Sequence, residues 1–498
     1  VYVRRSCVFV YLIHRCETQN HRMVFQVDSI TGEEHTYEQM RERSVRCALW
    51  MKSQGLLPGD VVAICSHNRL DLPIACFASL YLGASVTIWD DGLHKSGKSA
   101  APVGEAAQEA SPDSRMIVFD RVPGFLDFES VIAEPRAEEV KDFRCAHIAS
   151  SDEIALIICS SGTTGLPKGV ALSHESCLRQ VYCFKNIKIT GNNWVSFTAI
   201  SWISGTLFLF LYLALGVTRI VPPTIDEYSI CALIEKYKVN LLPSRYSKLL
   251  KSDALGKYDL SSLTHVMYGG ASLAVSIHED FAKVVPNAFV AAGYGATEIG
   301  GAFSVQTANS QSGSCGGITE NAQLKVIDPN TGCKLGPNQR GELLMKTASQ
   351  MNCYYNNPKA TAETVDEEGW FHSGDLGYYD EDGEIFVLER LKDLIKYRGY
   401  HVAPFQIETV ILSHPGVKEV AVIGVPHPID DEHPVAFVVR QINPTGDDKQ
   451  TELVDLVAAE LSDYKRLRGG VRFLDRLPQS SSGKVRRKEL RDLVKPAT

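Results

Sequence analysis

The stretch Ile154-Ala155-Leu156-Ile157-Ile158-Cys159 runs straight into Ser160-Ser161-Gly162-Thr163-Thr164-Gly165-Leu166-Pro167-Lys168-Gly169. Six consecutive apolar residues predict a short, fully apolar strand. The decapeptide behind it holds small hydroxyl residues, three glycines and one lysine. Glycines let backbone N–H groups turn into one concavity, and such a nest binds anions. The hydroxyls of Ser160, Ser161, Thr163 and Thr164 add donors, and Lys168 adds a charge. A strand ending in this loop fits a polyphosphate. A Walker A loop would end in Gly, Lys and Ser or Thr, whereas this one ends Pro167-Lys168-Gly169, so a P-loop NTPase is excluded.

Outward from the loop, strands and helices alternate. Residues 36–49 (TYEQMRERSVRCAL) have apolar side chains at helical spacing behind a capping Thr36. Residues 60–65 read as a buried strand after the turn Leu57-Pro58-Gly59, residues 71–82 as an apolar helix, and residues 84–89 as another strand. This alternation predicts parallel α/β layers. It resumes over residues 194–310, and residues 323–346 turn to short β-strands. Residues 95–114 (KSGKSAAPVGEAAQEASPDS) are too small and polar for a core and predict a loop or disordered insert. The longest apolar run, residues 207–217, has 11 residues. A bilayer span needs ~20, so a buried helix is expected. Residues 7–13 (CVFVYLI) are short for a signal peptide and precede His14-Arg15 in place of a cleavage site; a strand is expected there.

The chain has 498 residues, 44% apolar and 22% charged, the composition of an ordinary globular protein. That length suggests roughly two to four domains. Lys and Arg number 51 and Asp and Glu 59, a net charge of −8 that argues against a general nucleic-acid binder. The 13 cysteines include no C-x-x-C pair. Cys76, Cys159 and Cys231 lie in apolar runs and are expected as buried free thiols. A reducing compartment follows, with neither a disulfide framework nor a zinc site. The 14 histidines include no H-E-x-x-H, which leaves a metalloprotease unsupported. From Glu389 onward there are 18 basic and 16 acidic residues, and within 464–495 the balance is 11 to 3. Two domains of opposite sign, joined near Glu389-Arg390-Leu391-Lys392, are predicted.

Further motifs stand in order along the chain: Tyr268-Gly269-Gly270-Ala271; Gly293-Tyr294-Gly295-Ala296-Thr297-Glu298; Gly369-Trp370-Phe371-His372-Ser373-Gly374-Asp375; Glu389-Arg390-Leu391-Lys392-Asp393-Leu394-Ile395-Lys396-Tyr397-Arg398-Gly399-Tyr400; and Ser482-Gly483-Lys484. With the loop and the following Val170-Ala171-Leu172-Ser173-His174, they resemble the signature of the adenylate-forming superfamily. That superfamily contains acyl-CoA synthetases, 4-coumarate–CoA ligases and beetle luciferases. The resemblance covers about residues 25–495, and its local wording is closest to insect luciferase-like acyl-CoA synthetases.

The resemblance implies a mixed α/β chain. A large N-terminal domain of α/β layers plus a β-subdomain (1–388) would be joined by a hinge (389–392) to a small mobile α+β C-terminal domain (393–498). It also implies a two-step reaction using ATP, Mg²⁺ and CoA. A carboxylate attacks the α-phosphate of ATP, giving acyl-AMP and pyrophosphate, and CoA thiolate then displaces AMP. The first step brings an anion to an anion, so positive charge must offset the repulsion.

By the same resemblance, Lys484 bridges carboxylate and α-phosphate, a task suited to a mobile point charge with three donors. Taken without the family, its basic run (484–488) reads as a solvated face. Glu298 is the implied Mg²⁺ ligand, and Thr297 meets the α-phosphate. Gly293, Tyr294, Gly295 and Ala296 enclose the adenine, with Gly270 and Ala271 along its other face. Ser160, Ser161, Gly162, Thr163, Thr164, Gly165 and Lys168 hold the phosphates. Asp375 accepts from the ribose hydroxyls and Arg390 reaches the same sugar; the bland alternative for Asp375 is a turn residue after Gly374. Lys392 falls at the hinge. Gly399 lines the pantetheine passage, and Lys396 and Arg398 meet the CoA phosphates, the last two by charge alone.

Beetle luciferases carry a His-His-Gly-type motif in the acyl pocket. Here the stretch reads Ile200-Ser201-Trp202-Ile203-Ser204-Gly205, with Trp202 at the aromatic position. Residues 202–212 and Gly300-Gly301-Ala302-Phe303 are expected to line the pocket. The expected activity is an ATP-dependent acyl-CoA synthetase for a fatty or aryl carboxylic acid. The alternatives are a luciferase-like oxidation of an acyl-adenylate and a non-catalytic nucleotide- or acyl-binding relative. Expected partners are the acid and CoA, with no nucleic acid, no membrane span and no obligate protein partner. Relatives are often peroxisomal, but Lys495-Pro496-Ala497-Thr498 is no Ser-Lys-Leu address, so an intracellular, by default cytosolic, location is expected.

Overall fold

The computed structural model describes residues 23–89, 115–133, 137–160, 167–185, 191–222, 226–243, 249–250, 252–270, 275–441, 450–479 and 484–494. The strand expected over 7–13, the insert over 95–114 and the loop residues 161–166 lie outside them.

The opening strand is Ile154–Ser160, and it sits inside a five-stranded sheet. It pairs parallel with Ser85–Trp89 and antiparallel with Lys168–Ser173. The decapeptide therefore connects two hydrogen-bonded strands. Cys353–Tyr354 and Val61–Cys65 form the two edges. Val61–Cys65 was expected to be buried; at an edge it exposes Val61, Ala63 is uncovered too, and only Ile64 is fully buried. Cys159 was expected as a buried thiol and is exposed, because its cross-strand partner is Gly169, which has no side chain to cover it. Cys76 and Cys231 are buried as expected.

A nine-stranded sheet runs in the order Gly317–Ile318, Gly301–Val305, Phe289–Ala296, His265–Gly269, Leu241–Pro243, Asn193–Val195, Thr218–Val221, Val24–Asp28 and Glu34–Thr36. From Phe289–Ala296 to Val24–Asp28 the pairing is parallel. Alternate side chains of a strand enter opposite faces, and here they enter different cores. Trp194 and Leu241 join a core shared with the five-stranded sheet and helices Tyr37–Ser53, Leu72–Tyr81 and Ile203–Leu215. Val195 and Leu242 join a second core under helix Glu227–Tyr237 and Phe281 of helix Val275–Val284.

These helices follow from local chemistry. Thr36 and Gln39 form a reciprocal capping box that starts Tyr37–Ser53. All ten residues of Leu72–Tyr81 are buried, which accounts for its apolar sequence. The 207–217 run lies mostly within the buried helix Ile203–Leu215. Among the described residues, no helix is long and apolar enough to cross a membrane.

Strands Ala322–Ile327, Gly341–Thr347, Phe371–Tyr379 and Ile385–Arg390 make an antiparallel sheet with its own core, which also takes Ile299 and Phe303. Phe303, expected in the acyl pocket, is thus fully buried between sheets. A last sheet begins at Ile395–Tyr397 and carries Tyr400–Val402, Asp431–Arg440, Val417–His427 and Val471–Phe473. Its two faces feed separate cores, Val420 and Val422 into one and Ala421 and Ile423 into the other.

Candidate active site

The candidate site lies at the ends of Ile154–Ser160, His265–Gly269 and Phe289–Ala296, where sheet order and loops converge. Ser160 is the last residue of its strand and lies opposite Lys168. Its hydroxyl is buried and has no hydrogen-bond partner among the described residues. A buried donor left open is costly, and the position invites a ligand oxygen. Ser161, Gly162, Thr163, Thr164 and Gly165 lie outside the described residues, as does Ala271.

Gly293, Tyr294, Gly295 and Ala296 form the end of their strand, and Gly293 pairs with Gly269. The Tyr294 hydroxyl donates to Asp375 Oδ2 at 2.6 Å. Arg390 Nε lies 2.8 Å from Asp375 Oδ1, and its Nη1 donates to the Ser373 carbonyl at 3.0 Å. Asp375 and Arg390 are cross-strand partners, so the sheet register itself builds the ion pair. Asp375 is only 5% exposed. Burial pushes its carboxyl pKa up, and Arg390, Tyr294 and Lys484 pull it back. Burial, with the nearby Asp375 carboxylate, raises the Tyr294 pKa well above the usual phenol range. Sequence reasoning assigned Tyr294 to the adenine; the structure also makes it the donor that fixes Asp375.

Thr297 and Glu298 lie in a single 3₁₀ turn, Thr297–Ile299, directly after that strand. Glu298 Oε1 accepts from the Tyr354 hydroxyl at 2.9 Å, and the Glu298 carbonyl accepts from Met351 N–H at 2.8 Å. Lys168 Nζ stands 4.7 Å above the Tyr354 ring. Tyr354 therefore links the phosphate loop to the carboxylate. Nothing local in the sequence marked it; it arrives through pairing of Cys353–Tyr354 with Lys168–Ser173. Gly300 follows the turn with φ +81°, and a Cβ there would sit 2.2 Å from the Ser349 carbonyl oxygen.

Trp202 is half-buried at the N-terminal cap of Ile203–Leu215. Gly205 is buried, and a Cβ there would lie 2.1 Å from the Ala199 carbonyl, so its role is backbone approach. A Cβ on Gly301 would meet Leu207 Cδ1 at 2.3 Å, so this helix packs directly on the strand after Glu298.

Lys484 comes from the last part of the chain and is exposed. A Cβ on Gly270 would lie 3.9 Å from Lys484 Cε, and Lys484 acts electrostatically on Asp375. Lys392 lies in the 3₁₀ turn Leu391–Asp393, and burial lowers its pKa. Gly399 and Arg398 form the turn between Ile395–Tyr397 and Tyr400–Val402, both at positive φ. Among the described residues, none but its chain neighbours comes within 4 Å of where a Gly399 Cβ would be. Lys396 is exposed. Arg398 is already engaged, its Nε 2.5 Å from Asp430 Oδ1. The structure thus gathers Ser160, Lys168, Gly270, Tyr294, Glu298, Asp375, Arg390 and Lys484 at one end of the sheets, and holds Gly399 on a different sheet.

The sequence profile described as AMP-binding enzyme matches residues 13–355, and that described as AMP-binding enzyme C-terminal domain matches residues 406–484. The luciferin 4-monooxygenase of Nipponoluciola cruciata is 33% identical over 500 residues, covering 94% of this chain and 91% of its own. The 4-coumarate–CoA ligase 3 of Oryza sativa subsp. japonica is 33% identical over 504 residues, covering 93% and 88%. Among solved structures, ATP-bound MatB from Rhodopseudomonas palustris matches with a TM-score of 0.85 over 98% of both chains at 24% identity, a likeness of fold. The chain belongs to the AMP-binding enzyme family, the adenylate-forming superfamily of acyl- and aryl-CoA ligases and luciferases.

Proposed function

We propose that this chain is an AMP-forming acyl-CoA synthetase that activates a fatty or aryl carboxylic acid with ATP and transfers the acyl group to CoA. The observation that carries the reading is the approach of Lys484, from the C-terminal part, to Gly270 and Asp375. An exposed lysine held at a buried, ribose-type carboxylate suits the anion-on-anion step. Its ammonium offsets charge as the acid's oxygen attacks the α-phosphate and pyrophosphate leaves. Asp375, oriented by Tyr294 and Arg390, accepts from the ribose hydroxyls. Ser160 and Lys168 meet the phosphates, and the open Ser160 hydroxyl fits that task. Glu298, half-buried and linked to Lys168 through Tyr354, would hold Mg²⁺, which when bound supplies positive charge against the phosphates.

Domains 1–388 and 393–498 would then turn about residues 389–392. That turn withdraws Lys484 and brings Gly399 to the acyl-adenylate for CoA attack. The open space at Gly399 supports a surface used in a second state. Arg398 would have to exchange Asp430 for a CoA phosphate. Acid-dependent ATP–pyrophosphate exchange over a panel of fatty and aryl acids, followed by CoA, tests the proposal. Exchange with some acid and a CoA-dependent thioester is expected; no exchange from protein that still binds ATP would leave a non-catalytic relative. Similarity to the luciferin 4-monooxygenase supports a second reading, oxidation of the acyl-adenylate by O₂. O₂-dependent light or CO₂ release in place of thioester would select it.

A further inference from the structure

The end of the hairpin Val417–His427 and Asp431–Arg440 gathers three metal-ligating side chains away from the nucleotide residues. His427 closes the first strand, Asp430 lies in the turn, and His433 stands on the second strand. His433 Nε2 is 2.7 Å from Asp430 Oδ2, and His427 Nδ1 is 3.5 Å from the same oxygen. The two imidazoles stack with centroids 3.8 Å apart at 17°. A ring nitrogen's lone pair lies in the ring plane, so the part-exposed His427 ring turns out of this stack when both rings bind one ion.

The spacing also suits a metal. Bonds of about 2.0–2.1 Å in a tetrahedral site put donor atoms about 3.3 Å apart. The three ligand atoms here lie within 4.8 Å of one another. Asp430 offers Oδ2 to the cluster while Arg398 binds Oδ1 at 2.5 Å, the kind of outer contact that orients a ligand. The His427 side chain is 34% exposed, which leaves a path from solvent. His427 Nδ1 accepts from Asp430 N–H at 3.3 Å and from Ile429 N–H at 3.4 Å, both long bonds that are readily given up.

We propose that His427, Asp430 and His433 form a three-ligand site for a divalent transition metal, zinc above all, with a fourth position open to water. Two imidazoles and one carboxylate favour zinc, cobalt or nickel over magnesium, which takes oxygen ligands. When a metal takes His433 Nε2, the hydrogen bond to Asp430 Oδ2 breaks and the neutral ring carries its one proton on Nδ1. Neither cysteine spacing nor an H-E-x-x-H motif announces this site, because a hairpin turn brings the ligands together.

The test is a zinc titration of the full chain against a chromogenic chelator, with exposed thiols first capped because cysteine also binds zinc. Wild type is expected to take one equivalent more than His427→Ala/His433→Ala. Cobalt is expected to give visible d–d bands with wild type and not with that variant. Losing one ligand, in His433→Ala, should weaken binding by more than the about 10–100-fold that outer-shell changes cost. Equal zinc stoichiometry in wild type and double variant would overturn the site. If the double variant fails to fold, Asp430→Asn takes its place, and unweakened zinc binding by it would overturn the site as well.

Discussion

The two halves of the site are built in opposite ways. On the large part, Asp375 is buried, its two oxygens are taken by Tyr294 and Arg390, and strand register sets the pair with Arg390. On the C-terminal part, Lys484 is exposed and Gly399 sits in an exposed turn, where a Cβ would meet no side chain or backbone within 4 Å among the described residues beyond its chain neighbours. A nucleotide is bound best by groups that do not move, since preorganised dipoles cost no rearrangement. A residue serving one step of two must be able to leave. Burial separates the groups that hold from the groups that act.

The sharpest way to break this comparison is Lys484→Ala. Acid-dependent ATP–pyrophosphate exchange is expected to fall about 10²–10³-fold. Thioester formation from preformed acyl-AMP and CoA should fall far less. Exchange at the wild-type rate would remove Lys484 from the first step.

Gly399→Leu probes the other moving group. The residue has φ +81° at an exposed turn, so the leucine adds local strain, while its Cβ meets no described atom within 4 Å beyond the chain neighbours. Exchange should be kept while CoA-dependent thioester formation falls on the order of 10²-fold, the cost of a misplaced reactant. Equal loss of both half-reactions would contradict two states of the C-terminal part.

The same division explains what could be read from sequence. The capping box at Thr36, the apolar helix Leu72–Tyr81 and the strand Ile154–Ser160 rest on local patterns, and all are present. The motif residues of the rigid half were legible as points. Their mutual support was not: Tyr354 meets Glu298 across 56 residues, and Tyr294 meets Asp375 across 81. Cover was also illegible. Whether Val61–Cys65 or Cys159 is buried depends on which strand or residue stands alongside, and periodicity does not carry that. Arg487 makes the point within the basic run, which reads as a solvated face. Arg487 instead donates to Glu408 at 2.8 Å from a largely buried position.

Tyr354→Phe sharpens the account of the rigid half. It removes the hydroxyl that holds Glu298 and keeps the ring under Lys168. A hydrogen bond to a charged group is worth about 1.5–3 kcal/mol. The Mg²⁺ concentration giving half-maximal exchange should therefore rise about 10–100-fold, with little change in fold stability. An unchanged Mg²⁺ dependence would mean that Glu298 needs no such support.

The smallest effect concerns how the C-terminal part is held together. Glu408 is buried and accepts from Arg487 and from Val422 N–H, both at 2.8 Å. Burial pushes its carboxyl up from 4.5 to about 7, against the pull of Arg487. The folded chain then binds this proton more tightly than the unfolded chain does. Its stabilising contribution is full below the unfolded value and is lost as pH rises through about 7. A glutamine side chain does not titrate, so the Tm of wild type relative to Glu408→Gln should decline between pH 4.5 and 7 and then level off. Each kcal/mol corresponds to about 4–8 °C for a unit of roughly 100 residues. A difference that grows over the same range would mean that Arg487 outweighs burial. The ion pair would then be a net stabiliser, contrary to the usual cost of removing two charges from water.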